Sequence, residues 1–415
     1  TEITELVKGV TKLGKIKIKK SWFLPFKFLQ ERQQKQLGYD RHLESLRKML
    51  LAMSKDIRVI LIKFADRLHN MQTLKGVRSD KRRRIAQETL EVYAPIAHRL
   101  GMGRLKGNLE ALSFPYVYPK EYEQTKKLAG KSYANKERVV QKAQDQIKKI
   151  LEENEIKYLT IDGRKKHLYS LWRKLERYDH DIDKIYDIVA LRIVVGSVED
   201  CYKLLGIIHK TWRPLLGRIK DYIAVPKPNG YQSLHTTVFG PEGEIIEIQI
   251  RTKEMHFGAE YGIAAHWHYS NIRASQKRKS QPIPKDKLDW VDELADWQKK
   301  QTNKDEWMRG LNLDFFQDRI FVFTPQGDIH DLPANGTPID FAYSIHTEVG
   351  SQCVGAKVNG KIVKLNYHLK NGDIVEIQTS LKSKPKRDWL RFVATQRARS
   401  KIKASISKNG LILGK

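Results

Sequence analysis

The chain has 415 residues, 40% hydrophobic and 30% charged, which is enough for about two to four domains that each bury a core. Its formal net charge of +29 indicates polyanionic partners, such as nucleic acid, a nucleotide polyphosphate or an acidic surface. No apolar run approaches the roughly 18 residues of a membrane span, and no signal peptide is visible. Cys201 and Cys353 have no metal spacing and argue against a disulfide framework, so we expect a cytoplasmic protein with no membrane partner.

The chain is predicted to be helical from residue 1 to about residue 125. One helix is expected over Asp56–Leu74, with an apolar face that becomes largely buried. That face consists of Val59, Ile60, Ile62, Phe64 and Leu68. Asp66, His69 and Asn70 fall within one turn of the same helix. A carboxylate and an imidazole at this spacing can share a metal, and the alternative is a polar face that caps neighbouring helices or forms salt bridges with them.

The next stretch alternates between helices and a short strand. Glycines punctuate Tyr93–Gly103, which is expected to end one helix and begin another. A charged amphipathic helix is predicted over Tyr133–Glu155 and an edge strand over Lys157–Ile161. Asp162–Gly163 is expected to turn the chain into a second helix over Arg164–Arg177.

This second helix is predicted to begin with three basic residues, Arg164, Lys165 and Lys166. Free N–H groups and the helix dipole attract anions to a helix N-terminus, and basic side chains there strengthen the attraction. The pattern therefore indicates an anion-binding helix start, and an ordinary solvated basic face is the alternative.

A nearly continuous apolar run, IYDIVALRIVV, predicts a buried strand over Ile185–Val195. The run contains two charged residues, Asp187 and Arg192. An unpaired carboxylate at the opening of a buried strand is costly. Asp187 is therefore expected either to form a salt bridge with Arg192 or Lys174, or to be a Mg²⁺ ligand that faces nucleotide phosphates. A helix over Val198–Thr211 is predicted to follow.

The stretch Arg218–Arg251 combines a turn, a single aromatic residue and an alternating strand. Pro226–Gly230 has the composition of a turn, and Tyr231 follows it where a ring can lie against a base. The strand alternates between a polar and an apolar face, with Glu247, Gln249 and Arg251 on one and Ile246, Ile248 and Ile250 on the other. With a further helix after Thr252, the region predicts an α/β unit on a mixed sheet.

The last third of the chain is predicted to start with a linker. Residues 271–287 are polar, basic and interrupted by proline, and a short helix is predicted over Leu288–Lys300. From Arg319 the pattern indicates a strand, a turn, a second strand and a helix. Val354–Thr379 then predicts further strands around a hairpin turn. The tail, Lys382–Lys403, is predicted to be a strongly basic helix.

Several long motifs occur in a fixed order along the chain. They are ADRLHNM at 65–71, GRKKHLYSLWRKL at 163–175, YDIVALRIV at 186–194, RIKDYIAVPKPNGYQSLHTTV at 218–238 with EIQIRT at 247–252, and FAYSIHTEVG at 341–350. Through these motifs the chain resembles the long RelA/SpoT homologues, the bacterial alarmone enzymes of the Rel type. The resemblance extends over essentially the whole chain, and its last motif resembles a TGS module.

The resemblance implies pyrophosphoryl transfer, in which the 3′-hydroxyl of GTP or GDP attacks the β-phosphorus of ATP and AMP leaves. The ATP-binding residues would be Arg164, Lys166, Ser170 and Lys174. Arg164 would stack on the adenine, and the lysines would contact the phosphates. Asp187 would bind Mg²⁺ with help from Glu247, which would also accept the proton of the 3′-hydroxyl.

The acceptor nucleotide, GTP or GDP, would be bound by the loop and strand after Arg218. The residues implied by the resemblance are Lys220, Lys227, Asn229, Tyr231 and His235. Tyr231 would stack on the guanine. Arg218–Asp221 resembles the basic version of this loop in bifunctional enzymes, which implies a parent protein with both synthetase and hydrolase activity.

In this family, hydrolysis of the alarmone uses a metal held by an upstream His, an HD pair and the Asp of ADRLHNM. Only Asp66 of that set is present, with Asn70 as a nucleotide contact. Because one carboxylate cannot hold a catalytic Mn²⁺, the chain is expected to lack hydrolase activity. The resemblance also implies truncation at both ends, because the chain starts inside the hydrolase domain and family members continue beyond Lys415. Mn²⁺ is expected only for a complete hydrolase domain, and a residual hydrolase is the least favoured hypothesis.

By the same resemblance, the TGS module and the basic tail would contact deacylated tRNA and the ribosome, with His346 a candidate for the CCA end. A lone His after a helix is also often structural. The alternative function is therefore a ribosome- or tRNA-binding regulator with a silent catalytic site, which the net charge of +29 also suits.

The expected fold is α+β and multidomain. An incomplete HD-type helical bundle (1–125) would precede an α/β, nucleotidyltransferase-like synthetase domain with a mixed sheet (126–275). A linker and helix (276–315), a small β-grasp TGS domain (316–380) and the start of a helical domain (381–415) would follow.

Overall fold

The structure is a computed structural model that describes residues 56–227, 229–265 and 319–412. Residues 56–265 belong to one compact unit, and residues 319–412 belong to a second. The linker and helix predicted over 271–300 lie outside the described residues.

The described part of the first unit starts with the helices Arg58–Gln72 (α1), Ser79–Glu88 (α2), Ala94–Arg99 (α3) and Gly103–Val117 (α4). A π-helical turn, Thr89–Tyr93, joins α2 to α3. These helices confirm the predicted helical region over its described part, from residue 56 onward. On α1, Val59, Ile60 and Phe64 are buried as expected, but Ile62 is 44% exposed. Two residues along a helix rotate the side chain by about 200°, so Ile62 cannot share the face of Ile60 and Phe64.

A 35-residue helix, Pro119–Glu153 (α5), leads into the sheet. The sequence predicted this amphipathic helix only from Tyr133, whereas the helix begins at Pro119. Proline is favourable at the first position of a helix, since its missing N–H would have no partner there. The boundary expected between residues 125 and 126 therefore falls inside α5.

The sheet contains the strands Tyr158–Lys165 (β1), Val189–Val195 (β2), Lys220–Asp221 (β3), Leu234–Phe239 (β4) and Ile245–Thr252 (β5). Their order is β1-β2-β5-β4-β3. β2 and β5 pair in parallel and the other neighbours are antiparallel, which confirms the mixed sheet. The remaining helices are Leu168–Leu175 (α6), Val198–Thr211 (α7) and Lys253–Tyr261 (α8).

The predicted turn at Asp162–Gly163 and the predicted helix start at Arg164 are wrong. β1 continues through Asp162 and Gly163, which pair with β2, and it ends at Lys165. α6 begins only at Leu168. Pairing with a buried neighbouring strand outweighs the local turn preference of an Asp-Gly pair. Arg164 and Lys166 therefore extend from the end of a strand rather than from the first turn of a helix.

One face of the sheet is covered by α5, α6 and α7, and this interface is the main core of the unit. Alternate strand residues form its apolar layer. They include Val189, Leu191, Ile193, Ile246, Ile248 and Ile250. Glu247, Gln249 and Arg251 lie on the opposite face, as the alternation predicted.

The second unit contains a hairpin of Arg319–Phe323 (β6) and Ile329–Pro333 (β7) and a sheet of order β10-β8-β9. The strands of this sheet are Cys353–Val358 (β8), Lys361–Val363 (β9) and Val375–Thr379 (β10). Among its described residues, the unit has the α-helices Pro338–Ile345 (α9), Thr347–Ser351 (α10) and Gln396–Ile412 (α11), and a 3₁₀ helix over Arg387–Arg391. The predicted order of strand, turn, strand and helix is confirmed.

The predicted helix over Lys382–Lys403 is wrong at its start, because α11 begins at Gln396. The buried carboxylate of Asp340 accepts hydrogen bonds of 2.7 to 3.1 Å from the N–H groups of Ala394 and Thr395. A carboxylate that satisfies free N–H groups stabilises a helix start at this point. Asp340 lies 54 or 55 residues away in sequence, so no local pattern reveals it.

Cys201 and Cys353 are free, buried thiols. Burial raises the pKa of both thiols, to about 12 and about 11 respectively. Within the described ranges, none of the helices combines the length and apolar character that a membrane crossing requires.

Candidate active site

A cavity of about 590 Å³ lies on the polar face of the first unit's sheet. It is lined by all eleven residues that the sequence assigned to nucleotide or Mg²⁺ binding in the synthetase region. They are Arg164, Lys166, Ser170, Lys174, Asp187, Lys220, Lys227, Asn229, Tyr231, His235 and Glu247. The strands β1 to β5 and the helix α6 bring these residues together from distant parts of the chain.

Parallel pairing of β2 with β5 sets the positions of the two carboxylates in this cavity. Ala190 of β2 pairs with Glu247 of β5. Asp187 lies three residues before Ala190, on the segment that enters β2. Thr237 of β4 pairs with Glu247 from the other side, so Glu247 lies in the middle of the sheet.

Asp187 is held by two lysines. Its Oδ2 accepts hydrogen bonds from Nζ of Lys166 and, at 2.6 Å, from Nζ of Lys174. The expected salt bridge with Lys174 is therefore present, whereas Arg192 pairs with Glu260 at 3.3 Å. Burial would raise the pKa of Asp187, but the charges of the two lysines lower it to about 2. Asp187 is therefore ionised at neutral pH.

The other carboxylate oxygen of Asp187, Oδ1, has no hydrogen-bond partner among the described residues. This oxygen is also buried. Burial also lowers the pKa of Lys166 to about 8, despite the attraction of Asp187. A buried carboxylate oxygen without a donor is costly, and a hard divalent cation is a fitting partner for it.

Glu247 belongs to a row of hydrogen-bonded groups that includes His235 and Tyr231. Its Oε1 contacts Nδ1 of His235 at 2.9 Å and accepts from Nε2 of Gln249 at 3.0 Å. Nε2 of His235 contacts the Tyr231 hydroxyl at 2.8 Å. Burial lowers the pKa of His235. Burial would raise the pKa of Glu247, but the hydrogen bond from His235 lowers it, so Glu247 is a carboxylate at neutral pH.

The loop before β4 forms a small aromatic cluster. The rings of Tyr222, Tyr231 and His235 meet edge to face, with centroids 5.3 to 6.0 Å apart. Nζ of Lys227 lies 4.5 Å and 5.1 Å from the centroids of the two tyrosine rings. The N–H of Tyr231 donates to Oδ1 of Asn229 at 3.2 Å, which stabilises the predicted turn. A cation beside aromatic faces suits a purine base and its phosphates.

Two glycines allow close backbone contacts at the turn after α3, one with this loop and one with the end of α8. Gly101 and Gly262 have positive φ angles of 73° and 55°. A Cβ on Gly262 would lie 2.1 Å from the carbonyl oxygen of Leu100, and one on Gly101 would lie 2.9 Å from that of Asn229. Nδ2 of Asn229 donates to the carbonyl oxygen of His98 at 3.1 Å. The helical part of the unit thus helps to hold the acceptor loop.

Helix α4 supplies a wall of the cavity that the sequence did not predict. Glu110 is buried, pairs with Lys106 at 3.3 Å and lies 3.5 Å from Oγ of Ser170. A Cβ on Gly107 would lie 2.5 Å from Nε2 of His167, so glycine allows the close approach. In the sequence, Lys106 and Glu110 form an ordinary i,i+4 pair on a helix, which gives no signal of a cavity.

A second group of cavity residues that the sequence did not predict surrounds Glu260. Nη1 of Arg192 lies 3.3 Å from Oε1 of Glu260, and Nη2 of Arg251 lies 3.6 Å from the same oxygen. Arg251 is 1% exposed, and burial lowers its pKa to about 10. Arg251 could have been identified from the sequence, because the alternation along β5 places it on the same face as Glu247.

Comparison with known proteins agrees with this architecture. A region found in RelA and SpoT proteins matches residues 163–274, an HD domain matches residues 1–103 and a TGS domain matches residues 320–379. The chain is 46% identical over 408 residues to the GTP pyrophosphokinase of Myxococcus xanthus, covering 98% of this chain and 51% of that protein. The chain belongs to the RelA/SpoT family.

Other members of the RelA/SpoT family are named for one or both of two activities. The chain is 45% identical over 411 residues to a guanosine-3′,5′-bis(diphosphate) 3′-pyrophosphohydrolase of Aquifex aeolicus, covering 98% of this chain and 54% of that protein. It is 44% identical over 376 residues to the bifunctional (p)ppGpp synthase/hydrolase RelA of Mycobacterium tuberculosis, covering 90% of this chain and 51% of that protein. The chain spans about half the length of the curated relatives it matches.

Three predicted site residues of this RelA/SpoT-family chain do not line the cavity. Asp66 is exposed. Its Oδ2 lies 3.4 Å from Nζ of Lys63, and its Oδ1 accepts a hydrogen bond from Nδ2 of Asn70 at 3.2 Å. Groups of three or more His, Cys, Asp or Glu side chains that could hold a metal are absent from the described part of the chain. His346 is exposed, and its side chain accepts from the N–H of Glu348 at 3.4 Å, which caps α10. The proposed roles of Asp66, Asn70 and His346 stay predictions.

Gly262→Ala is expected to lower the free energy of unfolding of this RelA/SpoT-family chain by about 2 kcal/mol, because the new Cβ meets backbone atoms and the positive φ is strained. Urea denaturation followed by circular dichroism measures the loss. Gly206→Ala is the control, since Gly206 lies inside α7 with nothing within 4 Å of its added Cβ, and it should stabilise by up to about 1 kcal/mol. Equal stability of Gly262→Ala and the unaltered chain would contradict the close approach.

Proposed function

We propose that this chain is a GTP or GDP pyrophosphokinase that transfers the β,γ-pyrophosphate of ATP to the 3′-hydroxyl of the guanine nucleotide. The observation that carries the proposal is a single basic cavity that contains two ionised, largely buried carboxylates, Asp187 and Glu247. The name of the Myxococcus xanthus relative, GTP pyrophosphokinase, supports the same activity.

The residues that line the cavity suit two different nucleotides. Lys166 and Lys174 present ammonium groups for the phosphates of ATP, and Arg164 offers a planar guanidinium to the adenine. The ring of Tyr231 offers a stacking face for the guanine, and Lys227 lies beside it. Asp187 lies against the lysines, and Glu247 is linked to the ring of Tyr231 through His235.

In the proposed reaction, the 3′-oxygen of the acceptor forms a bond to the β-phosphorus of ATP. The bond between that phosphorus and the oxygen bridging to the α-phosphate breaks, and AMP leaves with that oxygen. The proton of the 3′-hydroxyl goes to the carboxylate of Glu247. The product is guanosine pentaphosphate from GTP or guanosine tetraphosphate from GDP. The ammonium groups of Lys166 and Lys174 stabilise negative charge on the phosphate oxygens.

The residues present fit a Mg²⁺ ion, which we propose as the cofactor of synthesis. Oδ1 of Asp187 is a buried carboxylate oxygen without a donor, and Glu247 shares its cavity. Carboxylate and phosphate oxygens are the ligands that Mg²⁺ prefers. When bound, the ion would neutralise charge on the pyrophosphate group. Mn²⁺ would be used only by a complete hydrolase domain.

Glu247→Gln is expected to lower the rate of AMP formation from ATP and GTP by about 100-fold or more, because an amide cannot accept the proton. GTP binding should remain detectable, since Tyr231 and Lys227 are unchanged. Separation of nucleotides by charge measures both AMP and the guanosine product.

Glu242→Gln is the matched control, because this carboxylate is exposed and pairs with Arg138 and Lys142 outside the cavity. Turnover retained in Glu247→Gln would refute the role of Glu247. A wild-type chain that forms no AMP would instead favour a binding module with a silent catalytic site.

We further propose that the TGS domain and the basic C-terminal region contact deacylated tRNA and the ribosome, and that the enzyme works in the cytoplasm. The TGS match and the net charge of +29 support these partners. The side chain of His346 is 65% exposed, so it is accessible to nucleic acid.

His346→Ala is expected to reduce, by about tenfold, any stimulation of AMP formation by ribosomes with deacylated tRNA, because one stacking or hydrogen-bonding contact is lost. The same nucleotide separation, run with and without ribosomes and tRNA, measures the effect. The unstimulated rate should not change, because His346 does not line the cavity. Full stimulation of the variant would exclude His346 from the tRNA contact.

A further inference from the structure

Tyr231 makes two separable contributions to the cavity. Its ring belongs to the aromatic cluster with Tyr222 and His235 and offers a face for a base. Its hydroxyl lies 2.8 Å from Nε2 of His235, which in turn places Nδ1 2.9 Å from Oε1 of Glu247. Base stacking requires the ring but not the hydroxyl, so the hydroxyl calls for a separate explanation.

The direction of these hydrogen bonds follows from the chemistry of the groups. Glu247 is ionised and can only accept, so Nδ1 of His235 must carry the proton that is donated to Oε1. In a neutral imidazole the other nitrogen, Nε2, is then an acceptor. The hydroxyl of Tyr231 must therefore donate to Nε2. This hydroxyl favours the tautomer of His235 that holds Glu247.

The contacts of Glu247 with His235 and Gln249 also distinguish its two carboxylate oxygens. Oε1 receives both the His235 contact and the hydrogen bond from Nε2 of Gln249 at 3.0 Å. No donor from the described residues hydrogen-bonds to Oε2. The carboxylate is thus held by one oxygen, and the other oxygen remains available to a reacting group.

The backbone keeps Tyr231 in place for both contributions. Its N–H donates to Oδ1 of Asn229 at 3.2 Å, and its carbonyl oxygen accepts from the N–H of Lys227 at 3.1 Å. His235 is only four residues further along, at the start of β4, where it pairs with Gln249 of β5. A base stacked on Tyr231 therefore lies on the residue whose hydroxyl orients the carboxylate.

We propose that the hydroxyl of Tyr231 is a positioning group for Glu247. Acting through His235, it holds Oε1 and leaves Oε2 for the 3′-hydroxyl of the acceptor nucleotide. This inference rests on the proposed pyrophosphokinase function. It assigns to Tyr231 a contribution to turnover that is separate from the binding of guanine.

Tyr231→Phe in the whole chain tests the proposal, because it removes the hydroxyl and keeps the ring. The expected result is a kcat about tenfold lower with a KM for GTP within about twofold of the original, since a hydrogen bond that acts in the transition state is lost and stacking is kept. A higher KM with unchanged kcat, or no change in either constant, would overturn the proposal.

Tyr202→Phe is the matched control for loss of a tyrosine hydroxyl. The Tyr202 hydroxyl donates to Asp221 at 2.8 Å, and neither residue lines the cavity. Both kinetic constants should therefore match those of the unaltered chain. If this control loses turnover as Tyr231→Phe does, the effect of Tyr231→Phe is not specific and the proposal fails.

Nitrogen NMR of the His235 imidazole in the nucleotide-free chain provides a readout that does not need activity. The proposal predicts a proton on Nδ1 and a hydrogen-bonded, unprotonated Nε2, whose signal shifts in Tyr231→Phe. A proton on Nε2 in the unaltered chain would overturn it. If the unaltered chain transfers no pyrophosphate, the proposed function fails, and the tautomer of His235 then decides whether Tyr231 orients Glu247.

Discussion

Two largely buried carboxylates that line one cavity, Asp187 and Glu247, are the constraint around which the first unit is built. The parallel pairing of β2 with β5 places Glu247 beside Ala190, three residues after Asp187. Buried carboxylates are tolerated only when cations and donors compensate them. Lys166 and Lys174 compensate Asp187, while His235 and Gln249 compensate Glu247.

The same compensating groups explain how the cavity can receive polyphosphates. Both lysines bind Oδ2 of Asp187, and Oδ1 has no donor among the described residues. Phosphate groups and a divalent cation together would offer partners to all of these atoms. Under the proposed function, the cavity would therefore bind a divalent cation together with the phosphate groups. Gly101 and Glu110, from the helical part of the unit, also line the cavity.

Much of this arrangement could be predicted from the sequence, because local residue patterns identify several of its strands, helices and site residues. The alternation over Ile246–Arg251 identified β5 and its polar face, and the helix predicted over Val198–Thr211 is observed with these bounds as α7. The residues alone pointed to Arg164, Lys166, Asp187, Tyr231 and Glu247, and the family resemblance supplied the other synthetase-site residues that line the cavity.

The errors arose where contacts between distant residues decide the structure. β1 runs through Asp162–Gly163 because β2 pairs with it, although an Asp-Gly pair favours a turn. α11 starts late because Asp340, far away in sequence, satisfies the free N–H groups. Glu110 could not be identified as a cavity residue, because only the packing of α4 against α6 brings it to Ser170.

A crystal structure of the chain with a non-hydrolysable ATP analogue, GTP and Mg²⁺ would show whether the two carboxylates flank the reacting groups. We expect the β-phosphorus to lie between Asp187 and Glu247 and the 3′-hydroxyl of GTP to lie within hydrogen-bond distance of Glu247, with the guanine on the ring of Tyr231. Nucleotides bound outside this cavity, or a 3′-hydroxyl beyond the reach of Glu247, would contradict this expectation.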